Sequence, residues 1–142
     1  YTYFLCTPVM VYWYEYPKLE GGIRWKRFFI HSFYVMMGLI GIYIITCESL
    51  IPIFEKPFSY SMVEAIATMI IPQTFVNFLI FYTIWENLLQ AEAELTRFAD
   101  RKFYEDWWNS TTFEEFNRKW NRIIHEFLYR HAYLYTINEL KW

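Results

Sequence analysis

Only two cysteines are present, Cys6 and Cys47. They lie far apart in sequence among apolar neighbours, which predicts two buried thiols rather than a disulfide. No paired-cysteine spacing for a metal occurs. A glycine-rich phosphate loop and a G-x-S-x-G nucleophile turn are also missing, so nucleotide cradling and serine-hydrolase chemistry lack their signatures. Neither sign of charge dominates. The formal net charge is −2, which argues against a nucleic-acid partner held by phosphate neutralisation. Internal repeats and low-complexity segments are absent. No signal peptide can be read at Tyr1, where the chain is expected to be an internal piece of a longer protein. Its 142 residues fit one domain or part of one.

What the chain has in excess is apolar surface: 56% of residues are hydrophobic and 24% aromatic, above the content of ordinary soluble domains. Residues 28–47, between Arg27 and Glu48, form a run of twenty without Asp, Glu, Lys or Arg. At about 1.5 Å per residue, a helix of that length reaches ~30 Å, the hydrocarbon thickness of a bilayer. A second charge-free window, residues 65–85, lies between Glu64 and Glu86 and contains Pro72, the expected site of a kink or tilt. A charge at a helix centre costs roughly 2.5–3.5 kcal/mol on insertion, so two clean windows predict two spans. The alternative is a buried helical hairpin of a soluble protein.

The flanks orient the hairpin. Lys18, Arg24, Lys26 and Arg27 precede the first span, and Arg97, Arg101, Lys102, Arg118, Lys119 and Arg122 follow the second. The loop between them carries only Lys56 beside Glu48, Glu55 and Glu64. Positive charge therefore gathers on one side, which the positive-inside rule makes cytoplasmic.

The remainder is helical in pattern. Residues 86–102 continue the second span as a charged helix, with no Gly or Pro to stop it. Thr111 with Glu114, or equally Thr112 with Glu115, fits a capping box that opens a helix over 113–121. That reading is preferred to a used glycosylation sequon at Asn109-Ser110-Thr111, which would face the wrong side. A helix over 123–142 is too polar for a simple span and too aromatic for a solvated face, which suits a tunnel-lining or interfacial position. Tyr3–Tyr14 reads as an extended or partly buried lead-in, closed by the turns at Tyr16-Pro17 and Gly21-Gly22. His31 reads as a hydrogen-bonded packing residue. His125 and His131 are six apart rather than four, which argues against a shared metal.

The most specific stretch is Phe103-Tyr104-Glu105-Asp106-Trp107-Trp108-Asn109. It resembles the signature of the membrane-bound O-acyltransferases that esterify sterols or diacylglycerol with fatty acyl-CoA. The likeness extends to Tyr16-Pro17-Lys18 with Ile23-Arg24-Trp25, and to Ala93–Arg101, where Arg97-Phe98-Ala99 leans to the sterol-esterifying branch. Lys56-Pro57-Phe58-Ser59 leans the same way. Trp120-Asn121, then His125 and Tyr133, fit the region after the signature.

This resemblance implies an all-α integral membrane protein, a fragment of a multi-span helical O-acyltransferase core. Residues 1–142 would be one partial domain: spans at about 28–47 and 65–85, a cytosolic signature region 86–122, and a tunnel or interfacial helix 123–142. It implies a homo-oligomer of the endoplasmic reticulum membrane and a chamber within the bilayer. Acyl-CoA would enter it from the cytosol as a co-substrate, and a sterol from the lipid. No cofactor and no metal are implied.

The family's catalytic pair is an Asn and a His, and Asn121 matches the Asn; the plainer reading of Asn121 is a helix-terminal Asn that satisfies backbone groups. The His is expected beyond Trp142, because His125-Glu126-Phe127 fits a different family element; the chain alone is therefore expected to be inactive. Phe103, Tyr104, Asp106, Trp107, Trp108 and Asn109 would form the acyl-CoA entrance. Trp107 and Trp108 would stack on adenine or cover the thioester, and Asp106 would pair with Arg101 or Arg97. Arg118 would meet a CoA phosphate, Tyr133 the phosphopantetheine, and His125 would line the chamber. Interfacial aromatics beside an ordinary surface salt bridge are the plainer reading of the signature. Diacylglycerol as acceptor and a non-catalytic membrane protein remain the competing readings.

Overall fold

Trp25–Glu55 and Met62–Thr96 form two helices of 31 and 35 residues in the computed structural model, which describes residues 1–56 and 59–140. Pro57 and Phe58 of the Lys56–Ser59 loop lie outside the described residues, as do Lys141 and Trp142 at the end of the expected last helix. We label the helices α1 (Thr2–Leu5), α2 (Trp25–Glu55), α3 (Met62–Thr96), α4 (Phe113–Trp120) and α5 (residues 122–140). Among the described residues there is no strand, only an isolated antiparallel bridge between Lys18 and Phe98. Chain packing divides the protein into two compact units, residues 25–91 and residues 1–24 with 92–142.

In the first unit both apolar windows lie inside longer helices. A charge ends what a bilayer accepts but does not end a helix, so α2 passes Glu48 and continues to Glu55. Each helix carries one π turn, Thr46–Leu50 in α2 and Tyr82–Leu88 in α3. The two helices meet where Gly38 faces Thr83: a Cβ at Gly38 would lie 2.0 Å from Thr83 Oγ1. Beside this crossing, His31 Nδ1 lies 3.3 Å from Asn87 Oδ1, and Asn87 Nδ2 donates to the Tyr82 carbonyl that opens the π turn. Pro72 sits within α3, and the helix continues through it. The outward faces are apolar and uncovered. Phe29, Phe33, Tyr43, Ile71, Phe75 and Phe78 are each 58–69% exposed, which suits helices that meet lipid or further apolar helices.

In the second unit α3 ends at Thr96, not at Lys102 as the absence of Gly and Pro led us to expect. The stop is a Schellman motif made without glycine. Phe98 N–H donates to the Ala93 carbonyl at 2.9 Å and Arg97 N–H to the Glu94 carbonyl at 3.3 Å. Arg97 takes the left-handed conformation, φ 59°, which costs an L-residue about 1–2 kcal/mol. Tertiary bonds offset that cost. Leu19 N–H donates to the Arg97 carbonyl at 2.9 Å, and the Arg97 guanidinium donates to the Leu19 carbonyl at 2.8 Å. Ala99 N–H and Tyr3 O–H add bonds to the Pro17 and Thr96 carbonyls.

Below this clasp Glu94, 1% exposed, accepts two bonds from Arg24, at 2.7 and 2.9 Å, and a further one from Arg101. The N-terminal stretch is not extended throughout. It opens with α1, and Thr7 and Val11 are buried. Both cysteines are free thiols, but neither is buried: Cys6 is exposed and Cys47 half-buried. Apolar neighbours in sequence did not translate into cover in space.

Two outcomes follow for the full-length protein in detergent. Glu94→Ala leaves two guanidinium groups facing each other across an emptied site and should lower stability by about 3 kcal/mol; an unchanged melting temperature contradicts the clasp. Gly38→Ala should cost about 1–3 kcal/mol through overpacking against Thr83, read as a melting temperature several degrees lower.

Candidate functional site

The region after the signature is built from two helices and one break. Thr112 caps α4, its hydroxyl accepting from Glu115 N–H at 3.1 Å. The Glu115 carboxylate returns to Thr111 N–H at 3.1 Å. The cap is therefore Thr112 with Glu115 three residues on, one of the two registers the sequence allowed, although the carboxylate reaches Thr111 N–H rather than that of Thr112. At Asn121 the backbone is extended, φ −151° and ψ 88°, and separates α4 from α5. Asn121 is 8% exposed, and its Oδ1 accepts from Ile124 N–H at 3.1 Å as the cap of α5. A cap needs an acceptor, so the carbonyl oxygen points into the helix and the amide Nδ2–H is left to donate elsewhere.

Asn121 lies in an open groove of about 1040 Å³, together with Arg118, His125, Tyr129 and Tyr133. Ile124 and Leu128 supply apolar lining. Along α5 these polar residues recur every fourth position. A step of four overshoots a 3.6-residue turn by about 40°, so such a row drifts around an α-helix. The π turn at Tyr129–Tyr133 holds more residues per turn and counters that drift. The rings follow suit: His125 and Tyr129 stack at 6.4 Å and 10°, Tyr129 and Tyr133 at 5.5 Å and 21°. The helix is anchored beside this row by Arg130, which lies 3.9 Å over the Trp13 ring and meets Glu126 at 3.3 Å. Tyr129 is the member sequence reasoning missed; its position midway between His125 and Tyr133 was the available signal.

None of Phe103–Asn109 lines this groove. Phe103 is buried, 4% exposed. Trp107 packs edge-on against Trp120 at 4.7 Å and against Phe116 at 5.9 Å. Trp108 touches Trp107 but is 63% exposed, and Asn109 ends a short 3₁₀ turn, Trp107–Asn109. Tyr104 is half-buried.

Asp106 does not take the expected partner. It meets Lys119 at 3.2 Å, while Arg101 is engaged by Glu94 and the Arg97 guanidinium by Leu19. Main-chain bonds complete the seam: Glu105 N–H to the Lys119 carbonyl at 2.9 Å and Arg122 N–H to the Phe103 carbonyl at 3.1 Å. Lys119 also meets Glu115 at 2.9 Å. Its hydrogen bonds to Glu115 and Asp106 raise its own pKa, and they hold Asp106 below the usual carboxylate range. Glu115, bonded by Lys119 and by Thr111, falls to about 2.

The fold is α-helical among the described residues, with two helices long and apolar enough to cross a membrane and a groove of mixed lining within the other unit. Residues 1–140 match the model of MBOAT, the membrane-bound O-acyltransferase family, and the chain belongs to that family. It is 39% identical over 152 residues to sterol O-acyltransferase 1 of Saccharomyces uvarum, an alignment covering 94% of this chain and 23% of that protein. With sterol O-acyltransferase 1 of Cricetulus griseus it shares 36% identity over 138 residues, 94% of this chain and 25% of the relative. With sterol O-acyltransferase 2 of Candida albicans it shares 35% over 144 residues, 92% and 23% respectively. The chain thus spans about a quarter of the length of the curated relatives it matches.

The carboxylate pairing has a pH consequence. Glu115 titrates lower folded than its ordinary 4.5. Its contribution is therefore complete above that value and is lost as pH falls through about 2. The melting temperature of the full-length protein in detergent should drop across that window, and Glu115→Gln should flatten the drop; an identical acid profile for the variant would refute the pairing.

Proposed function

We propose that this chain is the signature-bearing part of a sterol O-acyltransferase, which moves a fatty acyl group from acyl-CoA to a sterol hydroxyl. The observation that carries the reading is the groove. Asn121, Arg118, His125 and Tyr133, which the resemblance marks for catalysis, CoA and the chamber, converge in it. The sterol O-acyltransferases that match most of the chain support the same acceptor.

In the reaction the sterol oxygen attacks the thioester carbonyl carbon, the hydroxyl proton passes to a histidine, and the C–S bond breaks to expel the CoA thiolate, which takes that proton from the histidine. Asn121 serves as a donor. Its Oδ1 is committed to Ile124, so Nδ2–H is the group able to meet the oxygen that gains charge in the tetrahedral intermediate. Arg118 offers a guanidinium fork to a CoA phosphate, and Tyr133 meets the pantetheine arm. His125 lines the groove below them. Trp108, the most exposed ring of the signature, has a face free to lie on the adenine. The chemistry uses acyl-CoA as co-substrate with no cofactor. The proton-accepting histidine is assigned to a further span of a multi-pass, homo-oligomeric core in the endoplasmic reticulum membrane.

The test separates the two duties of Asn121. In microsomes containing the full-length protein, with labelled oleoyl-CoA and either a sterol or diacylglycerol, the wild type should form steryl ester. Asn121→Asp keeps a cap acceptor but loses the amide donor. It should express normally and lose about 100–1000-fold in turnover. Wild-type turnover by this variant removes Asn121 from the chemistry, and triacylglycerol in place of steryl ester changes the acceptor.

A further inference from the structure

Every immediate neighbour of Asn121 is held by the segment Lys102–Trp107, and Asn121 itself is not. On one side, the Lys119 carbonyl accepts from Glu105 N–H at 2.9 Å. The Lys119 ammonium, on a side chain 13% exposed, sits 3.2 Å from Asp106 and 2.9 Å from Glu115. The Trp120 ring lies 4.7 Å from Trp107. On the other side, Arg122 N–H donates to the Phe103 carbonyl at 3.1 Å, and the Arg122 guanidinium donates to the Lys102 carbonyl at 2.8 Å. Its charge is further balanced by Asp100 and Glu105 at 3.9 and 3.8 Å.

An extended residue between two helices is a hinge unless something fixes both flanks. α4, with eight residues, is too short to hold its own direction in isolation. The direction of the Asn121 side chain therefore depends on this seam.

We infer that Lys119 and Asp106 are positioning residues for acyl transfer: their ion pair, with the two main-chain bonds of the seam, locks the α4–α5 break and thereby aims the Asn121 amide into the groove. This rests on the reading of Asn121 as the donor. It gives the acidic signature position a role that requires no contact with CoA, in agreement with the absence of Asp106 from the groove lining. An amide that swings by about 1 Å would lose the charge-stabilising contact; Arg118 stands on α4 beside Lys119 and shifts with it, whereas Tyr133 on α5 keeps its place. The expected signature is a loss in kcat that exceeds any rise in the acyl-CoA KM.

The experiment uses the full-length protein in microsomes, with labelled oleoyl-CoA and a sterol. Lys119→Met should lower kcat by about 10–100-fold, a larger change than in the KM for oleoyl-CoA. Lys119→Arg keeps a cation in reach of both carboxylates and should recover turnover to within about threefold of wild type. If Lys119→Met does not accumulate, Asp106→Asn, isosteric at a side chain 52% exposed, carries the same expectation. A rise in KM at unchanged kcat places these residues against CoA and overturns the proposal. So does wild-type turnover in the variants, or an Arg variant no better than Met. Failure of the underlying reading is seen separately, as retained turnover in Asn121→Asp.

Discussion

The Glu94 carboxylate, almost wholly removed from solvent and met by Arg24 and Arg101, is the contact on which the second unit depends. Burying a carboxylate is unfavourable, and its pairing returns that cost only when the geometry is good and every oxygen is used. Both oxygens are used here. Glu94 lies on the last turn of α3, Arg24 stands one residue before α2, and Arg101 stands two before the signature. One carboxylate therefore ties the last turn of α3, the residue Arg24, and the loop that leads to Phe103. The left-handed turn at Arg97 becomes tolerable in this setting, because the same clasp brings Leu19 within reach of both its carbonyl and its guanidinium.

From that fixed loop, order passes to the groove through two devices. Aromatic packing of Trp107, Phe116 and Trp120 provides apolar burial, and the Lys119 pairs and main-chain bonds provide direction. Asn121 then caps α5 through its Oδ1, a bond that fixes which way its amide is turned. A side chain whose acceptor is consumed locally cannot flip without uncapping α5. The row His125–Tyr129–Tyr133 continues along the same helix face, and its π turn keeps a spacing of four usable over that length.

Much of this was legible in the residues. Two charge-free windows placed the apolar helices, because a bilayer's demand is one of composition and length and needs no knowledge of neighbours. The cap of α4 was legible to within one register, since Thr111–Glu114 and Thr112–Glu115 differ only in which hydroxyl sits outside the first turn. The heptapeptide pointed to the family by its resemblance to the signature, and Trp120-Asn121 fitted the region after it. The end of α3 at Thr96 was not legible: Arg97 adopts a glycine-like conformation only because Leu19, distant in sequence, bonds to it. The exposure of Cys6 escaped the sequence for a similar reason, as apolar neighbours in the chain need not become cover in space.

The partner of Asp106 shows where the division falls. Nearby arginines were the reasonable guess, yet Arg101 is drawn to Glu94, and the charge that reaches Asp106 comes from Lys119 on the next helix. The sequence by itself determined the composition-driven features: helix content, apolar windows, caps, and a set of residues that resemble an acyltransferase site. Tertiary structure alone decided the pairings, namely which arginine neutralises Glu94, which lysine meets Asp106, and that Asn121 faces a groove the signature does not line. Local propensity and hydropathy are sums over neighbours along the chain, whereas an ion pair or a clasp is settled by competition among groups that only folding brings together.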